Sequence, residues 1–203
     1  MAIPLARHEI TEADIAAVIE VLKSDRLALG PQLAAFEEAA ATYVGVRHAV
    51  AVNSGTSALH ILVRSLGLGE GDEVITTPFS FIASTNCILF ERARPVFVDI
   101  DPVTLCLDPG RIEAAITPRT KAILAVDVFG HPADWDAIER IAAAHGLVVI
   151  EDSAEALGTC VNGRQCGSFG CAWIFGFYPN KQITTGEGGV LVTDDAVLAR
   201  TCR

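Results

Sequence analysis

The chain has 203 residues, 51% hydrophobic and 20% charged, with a formal net charge of −10. That balance supplies the core of one domain or a large part of one and excludes a disordered chain. No Lys/Arg cluster is available to neutralise phosphates, which argues against a nucleic-acid partner, and no apolar run approaches the length of a bilayer span.

Taken in order, Met1 to His8 lack a charged segment followed by a long apolar run, so the expectation is a cytoplasmic protein with no membrane partner. Thr11 to Leu22 reads as a helix. Thr11 caps it, Asp14 stands three residues on, and Ile15, Val18, Ile19 and Leu22 recur at helical spacing. Gly30-Pro31 punctuates before a second helix from about Pro31 to Tyr43. Both helices look like an amino-terminal arm, residues 1–45, ahead of a main domain at 46–203.

From residue 48 short apolar runs alternate with helical segments. Strands are expected at Ala49 to Val52, Val74-Ile75, Val96 to Val98, Ala122 to Val126, Leu147 to Ile150, Cys171 to Phe175 and Val190 to Val192. Helices are expected at Ser57 to Leu66, Phe81 to Phe90 and Trp135 to Ala144. Such alternation, with nearly continuous apolar strands, predicts an α/β fold whose mostly parallel central sheet is sandwiched between helices. A further helix starts near Asp194 and is cut off at Arg203, so the chain reads as the front part of something longer.

The six cysteines, Cys87, Cys106, Cys160, Cys166, Cys171 and Cys202, include no Cys-x-x-Cys pair and sit mostly in apolar segments. They read as free thiols, and no metal site is expected.

Four stretches carry chemistry, and three of them lie where open α/β sheets bind ligands, at strand ends. Asn53-Ser54-Gly55-Thr56-Ser57 is a small polar turn opening a helix. It suits a phosphate, although N-capping by Ser54 or Thr56 explains the motif alone more readily. Thr77-Pro78-Phe79-Ser80-Phe81 offers Phe81 as a ring that could stack on a flat heterocycle or simply join the core. Glu151-Asp152-Ser153-Ala154-Glu155 offers Asp152, which could cap a helix or keep a pyridine nitrogen protonated. The fourth stretch is the loop from Phe175 to Gly189 with Lys181 at its middle. A lone lysine is usually solvated, but Phe175, Phe177 and Tyr178 predict an apolar wall beside it. Such a wall would favour the neutral amine that attacks a carbonyl. A phosphate turn, a stacking ring, an acid for the ring nitrogen and an amine for the aldehyde are together what pyridoxal phosphate requires. A generic nucleotide-binding domain would need Gly-x-Gly-x-x-Gly after the first strand, and Asn53 to Leu59 does not supply it.

With these residues in place, the chain resembles the DegT/DnrJ/StrS family of sugar aminotransferases over essentially its whole length. The matching stretches include Leu29-Gly30-Pro31, Asn53 to Leu59, Gly71 to Ile75, Pro95 to Asp99, Phe129 to Asp134, Glu151 to Gly158 and the lysine loop. The resemblance implies the large domain of the fold type I transferases. It gives Lys181 the Schiff base and the later proton transfers, Asp152 the pyridine nitrogen, Phe81 the stacking position and Ser54, Gly55 and Thr56 the phosphate. Glu155 falls beside the ring, where the family often has Gln or His. It also implies a homodimer whose subunits share the site, an amino-acid donor such as glutamate and a nucleotide-linked keto-sugar acceptor. A carboxy-terminal domain that completes the cleft is expected to be absent. Two features support the alternative of a catalytically incomplete fragment or non-catalytic member: that absence, and Gly176, where the family commonly has a phosphate-binding Ser.

Overall fold

The computed structural model describes residues 3, 4 and 6–203. Helix α1, Glu12–Lys23, opens on a reciprocal cap: Asp14 N–H donates to the Thr11 hydroxyl, and the Asp14 carboxylate accepts Thr11 N–H at 2.7 Å. Its apolar stripe of Ile15, Val18, Ile19 and Leu22 is exposed, and none of its residues is buried. Helix α2, Pro31–Val44, ends on Gly45 in the left-handed conformation and behaves differently. Its Ala41 and Val44 enter a core with Ala49, Trp173, Phe175, Phe177, Val190 and Val192. Of the expected arm, α2 is thus packed on the sheet, and α1 alone stands clear of the core.

Strands β1 (His48–Val52), β2 (Glu73–Thr76), β3 (Arg94–Phe97), β4 (Thr120–Val126), β5 (Val148–Asp152), β8 (Ala172–Gly176) and β9 (Gly189–Thr193) form one sheet in the order β1-β9-β8-β5-β4-β2-β3. Strands β3, β2, β4, β5 and β8 pair in parallel, and β9 runs antiparallel to both β8 and β1. The mostly parallel sheet is therefore present. Two short strands, β6 (Cys160–Val161) and β7 (Arg164–Gln165), make a separate ribbon that the pattern of apolar runs does not predict.

Helices α3 (Gly55–Ser65), α4 (Ala83–Phe90), α5 (Ile112–Ala115), α6 (Trp135–His145) and α7 (Ala196–Cys202) supply the larger core. Alternation along β8 sorts the two cores: Ile174 joins the larger one, while Trp173 and Phe175 face α2. Register carries the same alternation into β5, where Asp152 pairs with Ile174 and Glu151 with Trp173, so neighbouring acids point to opposite faces. Boundaries of the expected elements shift by two residues at most, and among them α4 begins at Ala83 rather than Phe81. That leaves Phe81 on the loop ahead of the helix. All six cysteines are free. No helix among the described residues is long and apolar enough to cross a membrane.

Candidate active site

A cavity of about 470 Å³ opens at the carboxyl ends of β1, β5 and β8. Ser54, Gly55, Thr56, Phe81, Asp152, Glu155 and Lys181 all line it. The fold thus brings every candidate residue to one place.

The floor is built by close backbone approach. Gly189 pairs with Val52 on one side and Gly176 on the other. A Cβ on Gly189 would lie 2.5 Å from the Ser54 carbonyl carbon and 2.6 Å from Gly55 N, so only glycine lets the turn after β1 rest on β9. Ser54 is the N-cap of α3: its hydroxyl oxygen accepts Ser57 N–H at 3.1 Å and lies 3.0 Å from the Ser57 hydroxyl. The capping explanation therefore holds for Ser54, and Thr56 is not the cap. Gly55 and Thr56 occupy the first turn, where helix N–H groups have no intrahelical acceptor, so both N–H groups and the Thr56 hydroxyl are available to an anion.

Asp152 ends β5 and is 4% exposed. The chain beyond it turns into an irregular segment and then β6, so it caps no helix. Its Oδ1 accepts Ala154 N–H at 3.2 Å and its Oδ2 accepts the Ser84 hydroxyl at 2.7 Å. Burial pushes its carboxyl above the ordinary range, opposed by those two hydrogen bonds and by the charge of Lys181. Ser84 is a site residue that the sequence patterns do not single out. The only local hint is its spacing of four from Ser80, whose hydroxyl lies 2.7 Å away.

Phe81 is 74% exposed, which removes the core explanation and leaves its ring at the cavity wall. The wall expected beside Lys181 is present in part. Phe177 and Tyr178 line the cavity with it, while Phe175 is buried in the α2 core and does not. Lys181 Nζ also meets the Glu155 carboxylate at 2.9 Å. The other Glu155 oxygen accepts Phe129 N–H at 3.1 Å, and its backbone carbonyl accepts the Gln182 side-chain amide. Glu155 therefore ties the lysine loop to the loop after β4, where Phe129 adopts a left-handed φ of 54°.

Behind Asp152, on the opposite face, Glu151 is fully buried. It accepts N–H groups of Gly167 at 2.6 Å and Phe169 at 2.8 Å. Asp127, also buried, accepts Ala133 N–H at 2.9 Å and the Trp135 indole N–H at 3.0 Å. The Ser153 hydroxyl lies 2.8 Å from Asp127 and 2.7 Å from Glu151. It has one proton for two carboxyls, so one carboxyl must be protonated. Burial raises both acids, and the Asp127 charge raises Glu151 further. With Cys166 these acids form a cluster of metal-ligand type, but their oxygens are already engaged by protein donors.

A family model, the DegT/DnrJ/EryC1/StrS aminotransferase family, matches residues 8–203. The chain belongs to this family. Aminotransferases of the family use pyridoxal phosphate. The spore coat polysaccharide biosynthesis protein SpsC of Bacillus subtilis is 47% identical over 201 residues, covering 99% of this chain and 52% of the relative. GDP-perosamine synthase of Caulobacter vibrioides is 48% identical over 175 residues, covering 86% and 47%. The crystal structure of S. venezuelae DesV in complex with a ketimine intermediate superposes with a TM-score of 0.90 at 45% identity, covering 93% of this chain and 51% of that one. The chain spans about half the length of the curated relatives it matches.

Proposed function

We propose that this chain carries the pyridoxal-phosphate site of an aminotransferase that moves an amino group from an amino acid, glutamate, to a nucleotide-linked keto-sugar. One observation carries the reading: a lysine amine, a buried carboxyl, an open helix N-terminus and an exposed aromatic ring converge on one cavity from four separate elements. The residues fit the cofactor. Neutral N–H and hydroxyl donors suit a phosphate, Asp152 keeps acceptor lone pairs for a ring N–H, and Lys181 lines the same cavity. When bound, the cofactor supplies an aldehyde carbon and a cationic ring that accepts electrons from the substrate.

The roles of the chain's own residues follow. Gly55, Thr56 and Ser54 anchor the phosphate end, and Asp152 stabilises a proton on the ring nitrogen. Phe81 covers one ring face, and Lys181 carries protons at Nζ, with Glu155 beside it to hold or receive one. Lys181 is the one cation among the described residues lining the cavity, against Asp152, Glu155 and Glu187. A phosphate and a donor carboxylate both call for further positive charge, which supports a homodimer whose second subunit completes the site. The same shortage favours the second reading, a catalytically incomplete or non-catalytic member. Residues 46–203 are taken as the cofactor-binding domain, residues 1–45 as the arm before it, and the cytoplasm as the compartment.

The test is addition of pyridoxal phosphate, borohydride reduction and peptide mapping, followed by incubation with glutamate. A visible band with the reduced adduct on Lys181, lost in Lys181→Ala, and conversion of the cofactor to its amine form by glutamate support the aminotransferase. An adduct without conversion supports the incomplete or non-catalytic reading, as does the absence of an adduct on Lys181, which overturns aminotransferase activity for this chain.

A further inference from the structure

The acid on the cavity side of β5 is held by a hydroxyl from a distant element. Ser84 lies on the first turn of α4, fully buried, 68 residues from Asp152, and its Oγ is 2.7 Å from Asp152 Oδ2. The Ser80 Oγ, half-buried on the loop that leads into α4, is 2.7 Å from Ser84 Oγ. Each hydroxyl has one proton. Ser84 gives its proton to Asp152, which leaves its lone pairs to accept from Ser80, so the donors run Ser80 to Ser84 to Asp152. Successive bonds in such a chain polarise one another, and a carboxylate acceptor strengthens them further. A proton on Asp152 Oδ2 would force Ser84 to accept there and reverse the chain.

We propose that Ser84, backed by Ser80, is a positioning residue for Asp152: it fixes the carboxylate where it lines the cavity and keeps Oδ2 an acceptor. Its purpose rests on the proposed function, in which Asp152 must be an anion to receive a ring N–H. The other titratable groups facing Asp152 are Lys181, whose charge helps the anion, Asp127, whose charge opposes it from behind the sheet, and the Cys87 thiol, which burial pushes up and keeps neutral. None of these replaces a hydroxyl aimed at Oδ2. Glu151, one residue earlier, takes backbone N–H groups of a loop at both of its oxygens.

The experiment is carboxyl ¹³C NMR of the cofactor-free protein labelled at aspartate, with the Asp152 signal assigned through Asp152→Asn. Removal of the donor in Ser84→Ala is expected to raise the Asp152 titration midpoint by about one pH unit, equivalent to about tenfold in protonation. Ser84→Cys, a weaker donor of similar size, should give a smaller rise, and Ser80→Ala a smaller rise again. With pyridoxal phosphate added, the dissociation constant should weaken in the same order, by about tenfold for Ser84→Ala. An Asp152 midpoint unchanged in the folded Ser84 variants overturns the proposal, even where their thermal stability falls. Should those variants not fold, Ser80→Ala decides alone: a raised midpoint supports the relay, and an unmoved one overturns it. The titration is read without cofactor, so failure of wild type to bind pyridoxal phosphate would sink the proposed function separately from this coupling.

Discussion

Glu151 and Asp152 are consecutive on β5, both buried, both raised by burial, and they face opposite sides of the sheet. On the Glu151 side two backbone N–H groups, Ser153 and Asp127 surround the carboxyl, with Trp135 stacked on Phe169 at 5.5 Å close by. On the Asp152 side two donors hold the carboxyl, and beyond them lies a cavity. Burial and a displaced protonation equilibrium therefore do not by themselves mark a working acid. What separates the two is that the protein completes the hydrogen bonds of one and leaves the other open toward a space that a ligand can fill.

Truncating each acid in turn tests this difference most severely. Glu151→Ala strands the Gly167 and Phe169 N–H groups, and at about 1–3 kcal/mol for each buried unsatisfied group it should cost about 3 kcal/mol of stability in denaturant titration. Asp152→Ala strands the Ser84 hydroxyl and the Ala154 N–H, but water from the cavity can replace their partner, so it should cost less, about 1 kcal/mol, while weakening pyridoxal phosphate by roughly 10- to 100-fold, the worth of a hydrogen bond to a charged group. A large stability loss in Asp152→Ala, or a binding loss in folded Glu151→Ala, would erase the distinction.

A subtler change acts on the sealed side alone. Folded-state values of Asp127 and Glu151 lie above the ordinary carboxylate range, so the native state holds protons that the unfolded chain has released. Stability from the shared proton is therefore full at acid pH and is lost as pH rises from the ordinary carboxylate range toward the raised value. Asp127→Asn keeps the acceptor for Ala133 and Trp135 and offers a permanent N–H in place of that proton. Its stability should no longer fall with rising pH and should exceed that of wild type by about 1 kcal/mol at pH 8. Parallel pH profiles for the two proteins would count against the shared proton.

The slightest change is on the open side. A Cβ at Gly176 would meet Ala154 Cβ at 3.7 Å and Gly55 Cα and Lys181 Cε at 3.9 Å, ordinary contacts. Gly176→Ser therefore fits without strain and places a hydroxyl between the phosphate turn and the lysine. It should tighten pyridoxal phosphate about threefold, within the roughly 0.5–1.5 kcal/mol of a net hydrogen bond. An equal or weaker dissociation constant would show that the phosphate already has its donors.

Much of this site is legible in the order of the amino acids. Lys181, Asp152 and the turn at Ser54 to Thr56 stand out because strand ends in an α/β sheet are where ligands bind, and strand ends follow from apolar periodicity. Phe81 stands out as well, although its freedom from the core depends on α4 starting two residues late. The surroundings of Lys181 match the expected apolar wall only in part, for a physical reason. Phe175 points into the core that α2 completes, while Phe177 and Tyr178 line the cavity and the Glu155 carboxylate meets the amine. The family resemblance points to Glu155 as a residue beside the ring, but not to its contacts with Lys181 and Phe129, which come from loops 26 residues away on either side.

Element order, the cap of α1, the parallel character of the sheet and the strand-end residues available for chemistry are all set within short segments of the chain. They depend on local propensity and on periods of two and 3.6 residues. Three other outcomes arise only when the chain is folded: which acid on β5 is sealed and which is open, the reach of Ser84 across 68 residues to hold Asp152, and the burial of α2 but not of α1. Those depend on register between strands and on which helix covers each face, and no segment carries that information until its neighbours are in place.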